Sequence, residues 1–73
     1  MQAHQQRVVD ELTELSDKLN KLNTFIQSSP VFEGLSAEEQ NLLLEQAYAM
    51  ALYEGVLEDR IDLFTKQRGN TNG

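Results

Sequence analysis

A chain of 73 residues with no cysteine, a single histidine and a formal charge of −6 forms at most one domain, and domains of this size are marginal on burial alone. The lack of cysteine excludes disulfides and most zinc sites, and a lone His4 excludes a histidine-rich metal cluster, so no cofactor is expected and stability must come from helix packing or oligomerisation. Twelve acidic against six basic side chains provide no basic face able to displace counterions from DNA or RNA, and no stretch approaches the ~18 apolar residues that span a bilayer.

The N-terminal segment MQAHQQRVVDEL has no apolar core of signal-peptide length. The expectation is a soluble, intracellular, cytoplasmic protein, with neither nucleic acid nor membrane as partner. The first helix is predicted over about residues 2–27. Its apolar positions Val8, Leu12, Leu15, Leu19, Leu22 and Ile26 alternate in steps of four and three, the seam by which one helix lies along another. Val9 and Phe25 widen that seam on one side. Ser28-Ser29-Pro30 ends the helix, because proline lacks an N–H and disfavours helical geometry in the residue before it.

The connection, about residues 28–35, carries Val31, Phe32 and Leu35, expected to plug the end of a hairpin. The second helix, about residues 36–67, opens on a capping box: Ser36 covers free N–H groups and Glu39 reaches back. Glu38 and Glu39 also complement the positive end of the helix dipole. Residues 69–73 read as a frayed polar tail.

The second helix has two seams. Leu43, Ala47, Met50, Glu54, Leu57, Ile61 and Phe64 form one, and Leu42, Gln46, Ala49, Tyr53, Val56, Arg60 and Leu63 form the other. One partner helix cannot cover so wide a stripe, so the second seam should meet another subunit. Ala47, Ala49, Ala51 and Gly55 would permit close approach. The fold expected is all-α: an antiparallel, coiled-coil-like two-helix hairpin, one domain over residues 1–73, assembled into a homo-oligomeric helical bundle. An arrangement that swaps helices between chains satisfies the same pattern.

Pairing the seams antiparallel sets Leu15 near Glu54 and Val8 near Ile61. It puts Lys18 within reach of Glu54, Arg7 near Asp62, and Arg60 beside Val9 and Glu11. A charge set into an apolar seam is costly unless paired. Glu54 with Lys18, and Arg60 with Glu11 or an acid of another subunit, would therefore fix register. The other reading of the same groups is a pocket between helices or subunits, where Arg60, Arg7, Tyr53 and His4 offer donors and a stacking ring to an anionic ligand. The open end also gathers Lys66 and Arg68. No hydroxyl lies beside a histidine base and no glycine-rich phosphate loop exists, so no catalytic residues are expected and the chain reads as a non-enzyme.

H-Q-Q-R-V-V-D-E from His4 to Glu11, E-L-x-x-K-L-x-K-L-x-x-F-I from Glu14 to Ile26, Phe32 with Leu35, and M-x-x-Y-x-x-V-L-x-x-R-I from Met50 to Ile61 together resemble a family of short phage and prophage proteins related to a crAss-like phage protein. Small oligomeric phage proteins of this kind include sponges that bind cyclic nucleotides or ADP-ribose-derived signals of the CBASS and Thoeris systems between subunits. The resemblance implies an anti-defence role. It also implies a pocket of His4, Arg7, Glu11, Lys18, Tyr53 and Arg60, the polar positions of the pattern. Arg7 and Arg60 would hold phosphates, Tyr53 would stack on a base or ribose, and His4 or Lys18 would add hydrogen bonds. The partners expected are further copies of the chain and a small anionic nucleotide ligand. An acidic inhibitor or adaptor of a host defence protein, like an anti-CRISPR, and a structural coiled-coil accessory are the other readings.

Overall fold

The computed structural model describes the backbone of residues 2–70 and the side chains of residues 2–65. It is all-helical: α1 spans Ala3–Ser28, α2 is a single turn over Pro30–Glu33, and α3 spans Ala37–Asn70. At about 1.5 Å per residue, the 34 residues of α3 account for most of the 56 Å long axis, and the molecule is only 17 by 15 Å across.

Local chemistry sets each boundary. Gln2 opens α1 through a reciprocal box with Gln5, whose side chain accepts from the Gln2 backbone N–H at 3.0 Å. Proline ends α1 by the mechanism expected, one residue later than the sequence pattern placed the stop. Ser29 is extended, closes α1 by donating its N–H to Phe25 O, and then caps α2 by accepting from Val31 N–H at 3.1 Å. Pro30 takes the first position of that turn, where no amide hydrogen is needed. The connection therefore holds a helical turn that the sequence pattern did not show. Ser36 Oγ accepts from the Glu39 N–H at 3.1 Å and starts α3. At its other end α3 continues to Asn70, so residues 69 and 70, read as tail from sequence, are helical. Residues 71–73 and the side chains of Lys66 and Arg68 lie outside the described residues.

α3 folds back along α1, and the two meet through the apolar seams. Val8, Leu15 and Leu57 form the buried cluster, flanked by Leu12, Met50, Ile61 and Phe64; Leu19 is also buried, and Leu57 is fully so. These contacts agree with the register expected from the seams. Toward the connection the packing thins: Leu22, Ile26 and Leu43 are only half-buried. There Phe32 of α2 meets Phe25 edge to face, with ring centres 6.0 Å apart, a geometry favoured by the ring quadrupole. Gln40 of α3 donates to Phe32 O at 2.8 Å and ties the turn down. Phe32 and Leu35 thus supply the plug, whereas Val31 points outward at 63% exposure and does not.

Candidate functional site

Two flanks border the α1/α3 seam. On one, the Ser16 hydroxyl donates to Glu54 Oε2 at 2.5 Å. Within the single chain Glu54 bonds Ser16 instead of Lys18, and no Glu11–Arg60 ion pair forms among the described residues. The physical reason is position. Ser16 lies on the flank of α1 that meets Glu54, whereas Lys18, two residues or about 200° further round the helix, lies on the opposite flank and is exposed. Ser16 was missed from sequence. The available signal was a small hydroxyl residue one position beyond Leu15, at the level of the charge that needed a partner.

The other flank carries five of the six candidate residues. His4, Glu11 and Lys18 recur every seven residues on α1, and Tyr53 and Arg60 are seven apart on α3. Positions with that spacing fall on one stripe of a helix. Because the helices run in opposite senses and Ser16–Glu54 occupies the far flank, both stripes border the same side of the seam. Lys18 stands roughly level with Tyr53, and Glu11 with Arg60. Arg7 lies further round α1, outside the seam. All six are exposed, with Tyr53 at 43%, so the single chain presents them as an open face and not as an enclosed pocket.

Next to this flank, α3 exposes an apolar stripe, interrupted by Glu45 and Gln46 on one side of its middle and by Asp59 and Arg60 on the other. Leu42, Ala49, Val56 and Leu63 recur every seven residues and every one is exposed, with Leu52 and Tyr53 bordering them midway. Each stripe residue immediately precedes a seam residue (Leu43, Met50, Leu57, Phe64), so the stripe lies about 100° round the helix from the face that meets α1. Gly55 leaves open space: a Cβ built there meets nothing within 4 Å, so packing within the single chain does not require glycine. Among the described residues no three His, Cys, Asp or Glu side chains group as a metal site, and no helix is long and apolar enough to cross a membrane.

Fold and face together define a small all-helical protein with an exposed face of mixed polar and apolar character. The Sequestin family profile matches residues 2–63. The chain is also 44% identical over 64 residues, 88% of its length and 98% of the relative's, to an uncharacterized 7.5 kDa protein of the denB–rIIB intergenic region of Enterobacteria phage T4. It belongs to the Sequestin family, a family of short phage proteins. No solved structure matches it.

Proposed function

We propose that this phage protein sequesters a small nucleotide immune signal, a cyclic nucleotide or ADP-ribose derivative, between subunits of a homo-oligomer in the host cytoplasm, leaving the ligand chemically unchanged. The observation that carries the reading is the shared flank: His4, Lys18 and Arg60 supply cationic or donor groups, Glu11 an acceptor, and Tyr53 a half-exposed ring, all beside an uncovered apolar stripe. A phosphate with a stacked base needs that combination. The family name, which denotes sequestration, supports the same reading. In the oligomer the open face would become walled, and Arg7 could reach phosphate from the rim.

Calorimetric titration with a panel of cyclic dinucleotides and cyclic ADP-ribose isomers tests it. Micromolar or tighter binding to one of them is expected, with the ligand recovered intact, and Arg60→Ala should weaken that binding about tenfold or more. Absence of heat across the panel at micromolar protein would sink the proposal. The net charge of −6, with most acidic side chains exposed, favours a second reading as an acidic inhibitor of a basic host defence protein. That reading predicts a stoichiometric protein partner on pull-down.

A further inference from the structure

We infer that α3 pairs antiparallel with α3 of a second copy, about a two-fold axis passing between Leu52 and Tyr53. The inference rests on the reading above only in taking a further copy of the chain as partner, and it needs no ligand. The first support is area. A compact monomer of 8.3 kDa exposes about 4,600 Å², whereas this chain exposes 5566 Å². The excess, on the order of 1,000 Å², compares with the roughly 800 Å² each partner contributes to a stable interface.

The second support is self-complementarity. A two-fold interface sets each residue against the one equally far from the axis on the other side. With the axis between Leu52 and Tyr53, Leu42 faces the partner's Leu63, Ala49 faces the partner's Val56, and Leu52 faces the partner's Tyr53. Of the three charges on this face, Glu45 meets the partner's Arg60 as an opposite, and Asp59 falls opposite the neutral Gln46 of the partner subunit. A parallel, in-register pairing would instead oppose Glu45 to Glu45, Asp59 to Asp59 and Arg60 to Arg60, each destabilising. All the stripe positions are exposed in the single chain, and their offset of about 100° from the α1-facing seam leaves room for both neighbours at once. Two Tyr53 rings then flank the axis, so each copy contributes to the central part of the candidate face.

The native chain has no cysteine, which makes introduced thiols unique reporters. Leu42→Cys and Leu63→Cys chains, mixed and mildly oxidised without nucleotide, should form a disulfide between the two variants, while each alone stays uncrosslinked. Self-crosslinking of Leu42→Cys would indicate the parallel pairing and overturn the inference. So would a monomer by sedimentation at tens of micromolar, which would leave the stripe to some other partner. Charge exchange tests the register independently. Glu45→Arg and Arg60→Glu should each weaken the dimer about tenfold or more, and the double variant should recover most of the loss. A double variant as weak as the singles would refute this register. Dimerisation without nucleotide binding would refute the ligand proposal alone; nucleotide binding by a chain that never forms the 42–63 bridge would refute this one alone.

Discussion

Glu54 occupies a position where the heptad pattern of α3 calls for an apolar side chain, and the fold accommodates it with one hydroxyl. A hydrogen bond to a charged group contributes about 1.5–3 kcal/mol at full burial; this carboxylate is half-buried, and water covers part of the loss when the donor goes. Ser16→Ala should therefore lower stability by about 1 kcal/mol, read as a shift of the urea midpoint at unchanged slope, whereas Ser16→Thr, which keeps the hydroxyl, should lose less. A midpoint unmoved by Ser16→Ala would mean the contact contributes nothing in solution. Gly55 gives the opposite expectation. Glycine within a helix costs about 1 kcal/mol relative to alanine, and nothing within 4 Å opposes a Cβ, so Gly55→Ala should stabilise the chain by up to about that amount. If it destabilises instead, another surface packs against Gly55 in solution. That Glu54 needed a partner was legible in the seam pattern. Which partner it takes was not, since periodicity fixes height along a helix to about a turn and Ser16 and Lys18 fall within that margin.

Most of the helical signal that sequence carries lies at element boundaries and in seam spacing, and both are visible in the all-helical structure. The Ser36 cap is a direct instance: a hydroxyl residue three positions before Glu39 accepts that residue's N–H. Replacing it with alanine should cost about 1 kcal/mol, and with glycine only a few tenths, measurable as loss of thermal midpoint by circular dichroism; equal losses for the two would mean the side chain is not the cap. α2 was illegible for a different reason. Four residues have no periodicity to detect, and the turn exists because Ser29 caps it, Pro30 starts it and Gln40 of α3 holds its carbonyls. The last of these is a tertiary contact that no local pattern announces. Val31 turned outward for the same reason: a turn this short can aim only part of its apolar content at α1. The candidate face was legible as a set of polar residues beside apolar seams. That five of them share one flank followed only once Ser16–Glu54 marked the other.

For the molecule as a whole, the decisive quantity is how little one chain buries. Four hydrophobic side chains, Val8, Leu15, Leu19 and Leu57, are buried among the described residues, and each contributes about 1.5–3 kcal/mol on full burial. Ordering a residue costs about 1–2 kcal/mol of backbone entropy, so a core this small leaves little margin in the isolated chain, and the α3 pairing inferred above would add to it. With that inferred pairing, folding is linked to association and governed by mass action, and the thermal midpoint should rise with protein concentration. A tenfold increase is worth about 1.4 kcal/mol per dimer, which for a dimer of this size corresponds to about 3–6 °C. The measurement is a series of melts followed at 222 nm across a hundredfold concentration range. Val56→Asp, at an exposed stripe position, touches none of the buried α1/α3 cluster but sets a charge against the apolar partner face. It should lower the midpoint at high concentration and flatten its concentration dependence. A midpoint constant across the range for the native chain would show that four buried residues and their half-buried neighbours suffice, and that the α3 stripe stands uncovered in the folded protein.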